Sequence, residues 1–98
     1  MTIDKTKDGS SLILKISGRL DTTTAPELEA EINASSMGIT SLEFNFADLE
    51  YLSSAGLRVL LAAQKLMNKQ GKMVIRNVCD DIMEVFEITG FADILTIE

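Results

Sequence analysis

Residues 41–70 read as an alternating apolar strand that runs, through two adjacent serines, into the longest helical pattern of the chain. Leu42, Phe44 and Phe46 share one face, with Glu43 and Asn45 between them, which is the period of a half-buried strand over residues 41–47. Leu57, Leu60, Leu61, Ala63 and Met67 then recur at helical spacing and predict a helix over residues 54–70. A strand that feeds a helix and then another strand requires a crossover, and so parallel pairing. Residues 48–54, Asp48-Leu49-Glu50-Tyr51-Leu52-Ser53-Ser54, read as the connection, with Gly56 just inside the helix.

The flanking segments extend this pattern. Residues 3–7 alternate weakly, Asp8-Gly9 marks a hairpin turn, and residues 11–17 set Leu12, Leu14 and Ile16 opposite Ile13, Lys15 and Ser17. Gly18-Arg19-Leu20-Asp21 ends that strand. Pro26 suits the first turn of a helix carrying Ala25, Leu28 and Ile32 and ending near Ala34. Thr24 and Glu27 match a capping box, with Asp21 as the alternative cap or turn residue. Gly71 follows the long helix, and residues 73–78 form a strand. Asp80 is the expected cap of a helix over residues 81–89, built on Ile82, Val85 and Phe86. Gly90 stops that helix, and residues 94–97 form a closing strand. The expected order is β-β-α-β-α-β-α-β. That is a single α/β domain over residues 1–98, a mixed and mostly parallel sheet with an N-terminal hairpin and three main helices on its faces.

Charge and composition narrow the function. The formal net charge is −6 and no basic run occurs, which argues against nucleic acid or an anionic membrane as partner. No apolar stretch approaches a membrane span. Met1-Thr2-Ile3-Asp4-Lys5 lacks a signal pattern, so the expected location is cytoplasmic. The only cysteine, Cys79, can form no intrachain disulfide and is expected to be a buried or half-buried small residue. The chain has no histidine, which removes the usual zinc ligands and Ser-His or Cys-His nucleophile pairs. No loop has calcium-binding spacing. Ser53-Ser54-Ala55-Gly56 also lacks the Gly-x-Ser-x-Gly elbow of a serine hydrolase, so neither a catalytic residue, a cofactor nor a metal site is expected.

Serines at a helix start have two readings. Either hydroxyl can cap the helix, and the unsatisfied N–H groups and dipole there also favour an anion, including a phosphate on the serine itself. Arg58, Lys65 and Lys69 form a basic stripe, read as a solvated helix face or as the rim of a docking surface.

Four motifs in register carry a family resemblance. Gly18-Arg19-Leu20-Asp21 is similar to a Gly-x-Leu-Asp signature. Asp48-Leu49-x-Tyr51-Leu52-Ser53-Ser54-Ala55-Gly56-Leu57 is similar to a central Asp-Ser-x-Gly-Leu motif. Gly71-Lys72-Met73 and Ile88-Thr89-Gly90-Phe91 fit the same pattern. Together they resemble a STAS domain, specifically a stand-alone anti-sigma factor antagonist, over essentially the whole chain.

The resemblance implies a partner switch. The unphosphorylated antagonist binds an anti-sigma factor that is also a serine kinase, and the sigma factor is released. The kinase then phosphorylates the central serine and the complex separates, until a metal-dependent serine phosphatase removes the mark. Register on Gly56-Leu57 assigns the phosphorylated serine to Ser54. The family commonly has Asp before it, where this chain has Ser53, so Ser53 is the alternative acceptor. The implied docking surface comprises Asp21, Thr22, Thr23, Ser53, Ser54, Gly56 and Arg58, with Arg58 one turn beyond Ser54 and in reach of a phosphate or a partner carboxylate. The chain is expected to be a monomer and a substrate and ligand, not an enzyme. The alternative is a STAS module that binds without phosphorylation, as a subunit of a lipid-transport or sensory complex.

Overall fold

The computed structural model describes all residues, 1–98. Strands β1 (Thr2–Asp8) and β2 (Ser11–Leu20) form an antiparallel hairpin closed at Gly9, whose φ of 61° belongs to the left-handed region that glycine tolerates. Helix α1 (Ala25–Ser35) leads to β3 (Ser41–Asn45) and β4 (Leu49–Leu52), and α2 (Ser54–Gln70) leads to β5 (Lys72–Arg76). Helix α3 (Asp80–Thr89) and a short 3-10 turn (Phe91–Asp93) complete the chain. The sheet runs β1-β2-β3-β5, with β2–β3 and β3–β5 parallel, and β4 pairs parallel with the far end of β2. The order expected from sequence therefore holds, with two adjustments at its joints.

The first adjustment is β4, which lies inside the segment read as a connection. Strand β2 is ten residues long and has two parallel neighbours in succession: residues 11–15 pair with β3, and Gly18, Arg19 and Leu20 pair with Leu49, Tyr51 and Leu52. The pairing of β3 with β2 ends at Asn45, whose Oδ1 accepts the Ala47 N–H at 3.0 Å, and contact with β2 resumes when the Gly18 N–H donates to the Asp48 carbonyl at 3.0 Å. The second adjustment is the closing strand, which reduces to one parallel bridge between Ile97 and Ile75. Leu95 is buried beside it while Ile94 is half exposed.

Alternation explains the layering. Leu12, Leu14, Ile16, Leu42, Phe44, Phe46, Met73 and Ile75 are all buried and share one core with Leu28, Ile32, Leu57, Leu60, Met67, Ile82 and Phe86 of the helices. Each such side chain contributes about 1.5–3 kcal/mol by burial. The residues between them, Ile13, Lys15, Glu43, Asn45, Val74 and Arg76, are half-buried or exposed and carry the Arg76–Glu43 ion pair at 2.9 Å. The buried faces thus lie on one side of the sheet, and the other side is mostly polar, with Ile13 and Val74 its apolar members.

Helix ends differ in detail from the sequence reading. Thr24 precedes α1 in a helical conformation and makes no side-chain cap, so the capping box with Glu27 does not form. Cys79, not Asp80, is the N-cap position of α3, and its side chain is exposed rather than buried. The α2 face also shifts. Leu61 is half-buried, while Val59, Gly56 and Gln64 join the buried set. No helix is long and apolar enough to cross a membrane.

Gln64 is the one buried polar side chain, 7% exposed. Its Nε2 donates to Asn68 Oδ1 at 2.9 Å, and its Oε1 has no partner in the protein. A buried acceptor without a partner costs about 1–3 kcal/mol. Gln64→Met keeps the shape and removes that acceptor. We expect a gain of about 1 kcal/mol, read as a higher urea midpoint at unchanged slope.

Candidate functional site

Strands β2 and β4 end together, which places two helix starts side by side. Leu20 and Leu52 are paired and buried, and the Ser53 N–H donates to the Leu20 carbonyl at 2.9 Å. Asp21 and Ser53 therefore leave neighbouring strands at the same edge, one toward α1 and the other directly into α2. This is the corner of a parallel sheet, outside the carboxyl ends of its strands, where α/β proteins bind ligands.

The two serines do different work. Ser53 is the N-cap of α2, extended at φ −95° and ψ 173°, and its hydroxyl accepts the Gly56 N–H at 3.4 Å. It is half-buried. Ser54 is the first helical residue, it is exposed, and its hydroxyl takes part in none of the chain's side-chain hydrogen bonds. Of the first-turn N–H groups, that of Gly56 goes to Ser53, and those of Ser54 and Ala55 have no helical acceptor.

Gly56 supports this turn from below. It is buried, and a Cβ there would meet Leu20 Cγ and Leu52 Cδ1, both at 2.7 Å. The first turn of α2 sits on the ends of β2 and β4 because this residue has no side chain. Of the residues expected on the docking surface, Gly56 is thus the one beneath it.

Asp21 organises the neighbouring turn. Its Oδ1 accepts from the Thr23 hydroxyl at 2.7 Å, the Thr23 N–H at 3.0 Å and the Thr24 N–H at 3.2 Å. Thr24 locks the turn further, its hydroxyl donating to the Arg19 carbonyl and accepting the Asp21 N–H, both at 2.8 Å. The Thr23 hydroxyl is the largest influence on the Asp21 carboxyl. With the Thr24 and Thr23 N–H groups and the Thr24 hydroxyl it outweighs the upward push of burial and lowers the pKa from 3.8 to about 2. The folded value lies below the unfolded one, so this contribution to stability is present above pH 3.8 and fades as pH falls toward 2. Asp21→Asn should accordingly lower the urea midpoint most above pH 4, and the gap to the wild-type chain should close as pH approaches 2.

Two arginines flank the corner. Arg19 stacks over the Tyr51 ring at 4.1 Å and its Nε lies 3.6 Å from Asp21 Oδ2. Arg58 lines a shallow depression of about 220 Å³ with Thr22, Ala25, Pro26, Glu29, Ala55 and Val59. Asp21, Thr22, Thr23, Ser53, Ser54 and Arg58 are therefore gathered at one corner. The Arg19–Tyr51 stack is an addition that the sequence reading missed. It arises from the β2–β4 register, and the missed strand is the reason it was not seen.

The STAS domain family model matches residues 2–98. Over 99 residues the chain is 39% identical to BtrV of Bordetella bronchiseptica, a provisionally assigned anti-sigma factor antagonist, covering 99% of this chain and 84% of the relative. Over 97 residues it is 31% identical to the anti-sigma-B factor antagonist of Staphylococcus aureus, covering 97% of this chain and 90% of the relative. Among solved structures, an anti-sigma factor antagonist from Mycobacterium paratuberculosis superposes with a TM-score of 0.88 at 23% identity, covering 98% of this chain and 83% of the other, and this likeness bears on the fold.

Proposed function

The chain belongs to the STAS domain family, and from that premise we propose that it acts as an anti-sigma factor antagonist whose switch is Ser54. In this reading the unmodified chain binds an anti-sigma factor through the corner formed by Asp21, Thr22, Thr23, Ser53, Ser54 and Arg58. The sigma factor is thereby set free. The anti-sigma factor is also the kinase, and a metal-dependent serine phosphatase resets the chain.

The division of labour between the serines carries the proposal. The Ser53 hydroxyl is engaged in holding the helix start, whereas the Ser54 hydroxyl is exposed and uncommitted. In the transfer, Ser54 Oγ attacks the γ-phosphorus of ATP and the bond to the bridging oxygen breaks. ADP leaves, and the hydroxyl proton passes to a base of the kinase. The chain supplies the nucleophile and its position, and the partner supplies the nucleotide, the metal and the base. The product adds about −1.5 to −2 charges at pH 7. The N–H groups of Ser54 and Ala55 at the start of α2 accommodate that charge, so the domain keeps its fold while its surface changes.

The test is incubation with ATP, Mg²⁺ and the cognate anti-sigma kinase, followed by peptide mass spectrometry. One phosphate on Ser54, absent in Ser54→Ala, is the expected result. A phosphate on Ser53 moves the switch by one residue. No phosphate, with a kinase active on another substrate, replaces the switch with a constitutive STAS binding module.

A further inference from the structure

Arg58 stands apart from the other two arginines. Arg19 is stacked on Tyr51 and paired with Asp21, and Arg76 joins Glu43 and Glu98. Arg58 is exposed and has no carboxylate within ion-pair distance, although Glu29 lines the same depression. It lies four residues beyond Ser54 on α2, so the two side chains share a face with their Cβ atoms about 5–6 Å apart.

Helix geometry sets the direction of reach. Every Cα–Cβ bond in a helix tilts toward the N-terminus, so the Arg58 side chain extends back over the turn that begins at Ser54. An anion N-terminal to a cation at this spacing is also the favourable order. Ala55 and Thr22, which line the depression with Arg58, are small side chains. A phosphate offers the planar guanidinium two acceptor oxygens.

We propose that Arg58 is the internal receiver of a phosphate on Ser54, so that modification withdraws a free cation from the docking face as it adds a dianion. The inference rests on the reading of Ser54 as the modified residue. It deepens that reading by giving release two causes: the partner meets the phosphate, and any partner carboxylate that faced Arg58 loses its counter-charge.

The test separates the two readings by installing phosphoserine at position 54 without a kinase, through genetic-code expansion. Phosphorus NMR then follows the second phosphate ionisation, ordinarily near 6, in the phosphorylated wild-type chain, Arg58→Gln and Arg58→Lys. Asp21, Glu29 and Arg19, the other charges around the corner, are common to all three and cancel, as do the helix N–H groups. The expected result is a phosphate pKa lower in the wild-type chain than in Arg58→Gln by roughly half a unit or more, with Arg58→Lys between them. Equal values in the wild-type chain and Arg58→Gln would overturn the proposal. Failure of the kinase to modify Ser54 would strike the switch itself and leave the NMR comparison intact. Circular dichroism establishes that each variant is folded, as the exposed position of Arg58 leads us to expect.

Discussion

Ser54→Asp should weaken the complex with the anti-sigma partner on the order of 100-fold, measured by titration calorimetry on the unmodified and substituted chains. Such a loss corresponds to about 3 kcal/mol, the scale at which one buried charge without a partner decides an interface. The substitution puts a carboxylate at the first residue of α2, where the dipole and free N–H groups favour it, so the domain itself should be as stable as before or slightly more so. The binding loss then reads the interface alone. Ser54→Ala should bind within a few-fold of the wild-type chain and should no longer respond to kinase and ATP. Ser53→Ala should do the reverse. It removes the cap to Gly56, costs about 0.5–1 kcal/mol of stability, and leaves Ser54 available. Unchanged affinity in Ser54→Asp would place the docking surface away from this corner.

Gly71→Ala should be the most damaging single-methyl change in the chain, by about 3 kcal/mol or more. Gly71 follows α2, and its N–H donates to the Met67 carbonyl at 2.7 Å. Its φ of 171° lies outside the left-handed region, so the sign of φ does not by itself demand glycine there. Space does. A Cβ would land inside the Thr40 carbonyl, which is backbone and already accepts the Lys72 N–H at 3.0 Å. The methyl cannot be accommodated by a rotamer change, and relief requires moving α2 away from the start of β3. Gln70 adds to the cost, because its Nε2 donates to the Ser36 carbonyl at 2.8 Å and to the Ile39 carbonyl, tying the same joint. Gly38→Ala is the control: its φ of 78° is strained for alanine but the space around it is open, so a loss of only about 1–2 kcal/mol is expected. Urea midpoints of the two variants give the comparison. A midpoint for Gly71→Ala equal to that of Gly38→Ala would mean that the joint yields.

Where local pattern and burial agree, the fold is legible in the residues. The alternation of Leu12, Leu14 and Ile16, and of Leu42, Phe44 and Phe46, marks strands whose buried face could be assigned without coordinates. The α2 helix begins at Ser54 and ends at Gln70, the limits its periodicity and the following glycine indicate. β4 escaped because its burial runs buried, exposed, exposed, buried, which matches neither strand nor helix period, and because β2 changes register between Gly18 and Arg19 to receive it. The Thr24 cap failed for a related reason. A Ser/Thr-x-x-Glu spacing describes a helix start in isolation, but here the Asp21 carboxylate takes the donors of Thr23 and Thr24, and Thr24 turns back to Arg19.

The same division holds at the candidate site. The sequence alone determined that a serine pair would open the long helix, that Gly56 would sit just inside it, and that Asp21 would close the preceding strand. These follow from short-range spacing, which a chain carries in its order of residues. Tertiary structure decided what those residues mean to one another. The β2–β4 pairing brings Asp21 beside Ser53 and places Arg19 over Tyr51, and Leu20 and Leu52 press on Gly56. The cap bond to Gly56 and the facing of the turn divide the serines into one that holds the helix and one that is exposed. Two adjacent serines are chemically identical in a sequence. Only the orientation fixed by distant strands distinguishes their hydroxyls, because hydrogen bonding and exposure are properties of position in space.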